Sequence, residues 1–111
     1  MSLHEDEVRL SHMLDHAKEA VQMCESKCRS DLNSDRMLNL ALVRLIEIIG
    51  EAASRVSLQR QANHPDIPWR EIIGTRNRVV HGYDKVNFDI LWGVIREDLP
   101  ALIETLKKIL N

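Results

Sequence analysis

The stretch Ile67-Pro-Trp-Arg-Glu-Ile-Ile-Gly-Thr-Arg-Asn-Arg-Val-Val-His-Gly-Tyr83 decides how this chain is read. From Trp69 onward, Trp69, Ile72, Ile73, Arg76, Val79 and Val80 recur at spacings of three and four, the repeat of a helix with one face turned to a core. Pro68 suits the first helical position, where a missing N–H is no loss, and Gly82 reads as the stop directly after His81. His81 is therefore expected in the last helical turn, at the negative end of the helix dipole. Arg76 stands in the apolar stripe, where an unpaired charge costs several kcal/mol of desolvation, so it calls for a partner or a ligand. On one helix Arg76 and His81 lie about 140° apart round the axis and about 7.5 Å along it, whereas Asn77 and His81, four apart, share a face. Gly74 costs a helix about 1 kcal/mol relative to Ala and marks a kink or a close backbone approach.

Upstream, Leu10, Met13, Leu14, Ala17, Val21, Cys24 and Cys28 give an amphipathic helix from His4 to Cys28. His12 and His16, and likewise Cys24 and Cys28, have the spacing of a metal clasp. The two pairs nevertheless stand about 18 Å apart along one helix, too far for one tetrahedral site, and are read as solvated histidines and core cysteines. No metal site and no cofactor is expected. The polar stretch Ser26 to Asp35 turns the chain, with Ser30 and Ser34 as candidate N-caps. A second helix runs to about Ser57, with Leu38, Ala41, Leu42, Leu45, Ile48, Ile49, Ala52 and Val56 on its stripe and Met37, Leu40, Val43 and Ile46 widening it. Such a helix is central, or faces both its own core and a second subunit. Gly50, Ala52, Ala53 and Ser54 are small enough for another backbone to approach. Arg44, Glu47, Glu51 and Arg55 form a polar ridge that either pairs with itself or sends Glu47 or Glu51 to hold Arg76.

Leu58 to Asp66 is a polar connection. Beyond the motif, Asp84-Lys85-Val86 reads as a short turn and Asn87 as an N-cap, with Asp89 in the first turn. The last helix carries Leu91, Trp92, Ile95, Leu99, Leu102, Ile103, Leu106 and Leu110. Pro100 kinks it or begins a fresh helix capped by Asp98. Phe88 and Trp92, one turn apart, fit the core stripe better than a base-stacking platform.

The fold class expected is all-α, an up-and-down bundle of four main helices in a single domain spanning 1–111, because Gly and Pro are few and Leu, Ile, Ala, Glu and Arg abound. With 111 residues the chain has its own core but is small for an enclosed active site. No apolar run is long enough for a membrane span and no leader pattern opens the chain, so a cytoplasmic protein is expected. A net charge of −2 excludes a general nucleic-acid coat, so any RNA contact is local. Between Pro68 and Val86, Arg70, Arg76, Arg78 and Lys85 exceed Glu71 and Asp84, which makes Arg78 and Lys85 candidate RNA contacts.

The spacing from Arg76 to His81, the Pro68-Trp69 before it, the Asn77 after the arginine, the Gly82-Tyr83 ending and the upstream Ile48-Ile49-Gly50-Glu51-Ala52-Ala53 closely resemble the HepT-like branch of the HEPN superfamily, over nearly the whole chain. Cleaving RNA without metal needs a base for the ribose 2′-hydroxyl, a cation for the phosphorane and an acid for the leaving 5′-oxygen. Histidine suits the proton transfers and arginine the phosphorane. Arg76 and His81 are accordingly the expected catalytic pair, with Asn77 orienting the imidazole or donating to a phosphate and Glu47 or Glu51 in support. Because one helix points Arg76 and His81 apart, two copies across a two-fold axis would bring both into one cleft. The resemblance implies such a composite site in a homodimer. It also implies that the protein is the toxin of a toxin–antitoxin pair, silenced when a minimal nucleotidyltransferase transfers AMP from ATP to Tyr83. An added phosphate at the mouth of an RNA cleft repels the substrate. Two other readings stand beside this one: a non-catalytic module that binds a nucleotide or presents Tyr83 to a nucleotidyltransferase, and a helical dimer in which Arg76 is only an interface ion-pair residue.

Overall fold

A computed structural model describes residues 3–111. Four main helical stretches form the body: α1 (Leu3–Met23), α3 (Arg36–Ser54), α5 (Trp69–Val79), and a last stretch in which α6 (Phe88–Gly93), a π turn (Val94–Asp98) and α7 (Leu99–Leu110) follow without a break. Two short helices, α2 (Asp31–Ser34) and α4 (Leu58–Asn63), occupy connections that the sequence marks only as polar. α1 packs on α3 and α7, and α3 packs on α5, so α1 and α3 together make the middle of the bundle. The all-α bundle follows from the pattern: Leu10, Met13, Ala17 and Ala20 of α1 and Leu38, Leu42, Leu45, Ile46 and Ile49 of α3 meet Leu99, Leu102, Ile103 and Leu106 of α7 in one core.

The first boundary falls earlier than its apolar repeat suggests. α1 ends at Met23, and Arg96 donates to the carbonyls of Cys24 (2.9 Å) and Lys27 (2.7 Å), satisfying groups left open beyond the helix end. Cys24 is buried as expected, whereas Cys28 is exposed. Neither Ser30 nor Ser34 caps α3. Asp35 does, accepting from the Leu38 N–H at 3.0 Å, because its extended backbone (φ −109°, ψ 94°) aims the carboxylate at the open first turn.

At Gly50 two helices come close. A methyl there would lie 3.3 Å from the Ile72 carbonyl oxygen and 3.4 Å from that of Ile73, so its lack of a side chain lets α5 lie against α3. At Gly74 the opposite holds: an added Cβ meets nothing within 4 Å, and no close approach explains it. Trp69 fixes the start of α5, its indole N–H donating to the carbonyls of Gln61 and His64, both at 3.1 Å.

Pro100 neither starts a capped helix nor interrupts the last stretch. Asp98 has helical dihedrals and makes no capping bond, and the wider π turn just before Pro100 accommodates its missing donor and its ring. Asn87 caps α6 as the sequence indicates, accepting from Ile90 N–H at 3.0 Å. Phe88 and Trp92 are half-buried against the core, and their faces carry Arg29 (5.6 Å) and Arg96 (4.3 Å).

Two expectations about α5 need correction. Its inward face is Ile72, Thr75 and Val79 rather than the stripe through Ile73 and Arg76. Thr75 is buried with its hydroxyl bonded to the Glu71 carbonyl at 2.6 Å, Arg76 is half-buried at the edge, and Ile73 is 41% exposed. A back-bonded threonine enters a core without an open donor, which leaves the guanidinium outside. The helix also ends at Val79. Val80–His81 (β1) pairs antiparallel with Lys85–Val86 (β2), Val80 opposite Val86 and His81 opposite Lys85. His81 is thus not in a helical turn, does not face the helix dipole, and does not share a helix face with Asn77.

Candidate catalytic edge

In the hairpin, alternation sends Val80 into the core and His81 outward, and the partner strand repeats the pattern with Val86 half-buried and Lys85 exposed. Because directly opposed residues project from the same face, Lys85 stands beside His81. The turn between them, residues 82–84, depends on Gly82 at φ +72°, a region that side chains disfavour. The Asn87 N–H closes the base of the hairpin on the Val79 carbonyl at 2.7 Å. Tyr83 sits at the tip and is 96% exposed, so its ring does not pack against the preceding helix.

Arg76 approaches from α5. It lines a shallow groove of about 210 Å³ against α3, with Ile46, Glu47, Gly50, Glu51, Ser54 and Ile73. Both carboxylates suggested by sequence for Arg76 are therefore in its groove, yet neither forms an ion pair with it within 4 Å. Glu51 instead accepts from Arg55 at 2.9 Å. Asn77 is exposed on the next position of α5. Arg76 and His81 thus come from two elements, a helix and the hairpin that follows it.

Arg78 lies elsewhere. It lines a cavity of about 430 Å³ between α3, α5 and α7, where Asp66, Glu71, Glu97 and Asp98 accompany apolar side chains, and it approaches Asp98 at 3.9 Å. Four carboxylates at that mouth repel phosphates, so Arg78 is poorly placed as an RNA contact. A third groove, about 300 Å³ on the opposite flank of α3, is lined by Arg9, His12, Arg44, Ile48, Glu51, Ala52 and Arg55. Arg44, Glu51 and Arg55 belong to the polar ridge legible in sequence, whose fourth member, Glu47, lines the groove of Arg76 instead. That Arg9 and His12 join those three residues depends on how α1 lies against α3.

Among the described residues, no three His, Cys, Asp or Glu side chains cluster closely enough to hold a metal ion, and no helix is long and apolar enough to cross a membrane.

The profile of the family described as Ribonuclease HepT-like matches residues 13–109. The protein called Putative RNase TTE0752 of Caldanaerobacter subterraneus subsp. tengcongensis is 34% identical over 102 residues, covering 92% of this chain and 91% of that one. The Probable ribonuclease HepT of Thermococcus cleftensis is 34% identical over 93 residues, 80% of this chain and 84% of the relative. Putative RNase MJ1380 of Methanocaldococcus jannaschii is 28% identical over 102 residues, 92% of this chain and 94% of the relative. No solved structure matches.

Proposed function

Because the chain belongs to the HepT-like ribonuclease family, we propose that it cleaves RNA, with Arg76 and His81 as the catalytic residues of a metal-independent site completed by a second copy of the chain. The observation that carries this reading is Arg76: two carboxylates share its groove, one is taken by Arg55, and its guanidinium keeps no ion pair among the described residues. A charged fork held at a groove edge and not tied up in an ion pair is suited to a phosphate, to which it donates two parallel hydrogen bonds.

In the reaction, one His81 imidazole takes the proton of the ribose 2′-hydroxyl. The 2′-oxygen attacks phosphorus, and Arg76 donors stabilise the charge that builds on the non-bridging oxygens. The bond from phosphorus to the 5′-oxygen breaks, and a protonated His81 from the second copy gives that oxygen its proton. A 2′,3′-cyclic phosphate and a 5′-hydroxyl result. Lys85, beside His81 in the hairpin, attracts the backbone, and Asn77 donates to a phosphate oxygen. Met37 (82% exposed), Leu40 (50%) and Ile73 (41%) supply apolar surface on α3 and α5 for the second copy.

Tyr83 serves as the control point. Its exposed hydroxyl, two residues beyond the imidazole, attacks the α-phosphate of ATP held by a minimal nucleotidyltransferase antitoxin, losing its proton and releasing pyrophosphate, and the phosphodiester so formed repels RNA at the site. The protein then acts as a toxin held silent by its neighbour.

The deciding experiment incubates the purified protein with total RNA. Arg76→Ala and His81→Ala each abolish cleavage while the oligomer is retained, EDTA leaves wild-type cleavage unchanged, and the rate has a bell-shaped pH profile. Full cleavage by both variants would overturn the catalytic assignment, and loss of activity in EDTA restored by magnesium would overturn the metal-free mechanism.

A further inference from the structure

We propose that the groove between α1 and α3 is an RNA-backbone track, separate from the cleavage position, in which Arg9, Arg44 and Arg55 hold successive phosphates of the bound strand. The inference rests on the ribonuclease reading and adds a binding site to it. Three arginines and His12 converge there from two helices, against a single carboxylate, Glu51, whose charge is met by Arg55 at 2.9 Å. Arg44 is exposed and forms no ion pair within 4 Å among the described residues. Arg9 is half-buried, and its Nε is buried without an acceptor among the described residues. Besides Asn39 Oδ1, an acceptor, this is the buried side-chain polar atom left open among the described residues, and an open buried donor marks a guanidinium whose hydrogen-bond complement is finished from outside.

The layout selects the ligand. Arg44 and Arg55 are eleven residues apart on α3, about 16 Å along the helix, with Arg9 brought in from the neighbouring helix. Cations strung along a groove fit a chain of phosphates, whereas one isolated phosphate would need them gathered round a point. Ile48 and Ala52 form an apolar floor against which sugars can lie. The groove also shares Glu51 with the one that holds Arg76, so the two meet on the crest of α3. A strand placed at Arg76 therefore has a continuous route over α3 to Arg44.

The test uses the full chain and a labelled 2′-O-methyl RNA oligonucleotide, which lacks the attacking hydroxyl and stays intact. Binding is followed by fluorescence anisotropy over a range of salt concentrations. Arg44→Ala should weaken binding several-fold and reduce the slope of log affinity against log salt by about 0.7, the amount carried by one phosphate contact on a single strand. Arg9→Ala with Arg44→Ala should double that reduction, and Arg70→Ala, on α5 and outside the groove, should leave the slope unchanged. Circular dichroism checks the fold; if the double variant unfolds, Arg44→Ala alone decides, because Arg44 lies on the surface.

A slope unchanged in Arg44→Ala overturns the track, as does absence of wild-type binding. Displacement of the RNA by polyglutamate at equal charge concentration would also overturn it, since the groove would then favour an acidic protein segment. Cleavage of unmodified RNA is scored separately. Cleavage with an unchanged slope removes the track and keeps the nuclease, whereas a reduced slope without cleavage keeps the track and removes the nuclease.

Discussion

Asp6, a buried carboxylate of α1, ties that helix to the start of α4. Only 2% exposed, it accepts the Ser57 N–H at 2.9 Å and the Ser57 hydroxyl at 2.6 Å, while that same hydroxyl oxygen caps α4 by accepting from Arg60 N–H at 3.2 Å. The Ser57 hydroxyl and then its N–H hold the Asp6 carboxyl below its ordinary value of 3.8, against the opposing effect of burial. A depressed value in the folded state means that this stabilisation is present above pH 3.8 and is lost as pH falls through the folded value. Asp6→Ala should therefore cost about 2 to 3 kcal/mol in urea unfolding at neutral pH, and its deficit relative to wild type should shrink in strong acid. The cysteines give a second residue-scale test. Burial pushes the Cys24 thiol up and keeps it protonated, whereas Cys28 is exposed, so iodoacetamide on the native protein should alkylate Cys28 and leave Cys24 free. Labelling of Cys24 at the same rate would contradict that packing.

Among the elements, the hairpin is where local sequence misleads. Val79 and Val80 fit a helical stripe, and a glycine after His81 fits a helix stop, yet the chain leaves the helix at Val79 because Val80 and His81 find partners in Val86 and Lys85. The signal was present: Val80 to Val86 alternates inward and outward around a three-residue turn containing Gly, the pattern of a short hairpin. Gly50, Gly74 and Gly82, three of the four glycines, should behave differently for the same reason of place. Gly82→Ala, at φ +72°, should lose about 1 to 2 kcal/mol. Gly74→Ala, in mid-helix with open space around its Cβ, should gain about 1 kcal/mol. Gly50→Val, pressed on the α5 backbone, should lose about 1 to 3 kcal/mol and disturb the groove of Arg76. Urea melts of the three variants check the order, and equal effects would contradict the close contact at Gly50 and the open space at Gly74.

At the scale of the whole molecule, the exposed apolar residues of α3 and α5 bear on assembly. If a second copy covers them, Met37→Glu combined with Leu40→Glu should shift sedimentation to the monomer and remove RNA cleavage while the melting temperature of the protomer changes little; a variant that stays assembled would move the interface elsewhere. Sequence periodicity by itself determined the all-α class, the four main helices and the close approach at Gly50, since burial of one apolar face at spacings of three and four leaves few other solutions. It also marked Arg76, His81 and Tyr83 as chemically informative. Only the tertiary structure decided that Thr75 rather than Arg76 turns inward, that Arg78 faces an acidic cavity and that Arg9 joins Arg44 across two helices, and it chose the hairpin that sets His81 beside Lys85 over the helical stripe that the same residues also fit. Those outcomes depend on which neighbours each element meets, and contacts between residues distant in the chain have no period for a sequence to display.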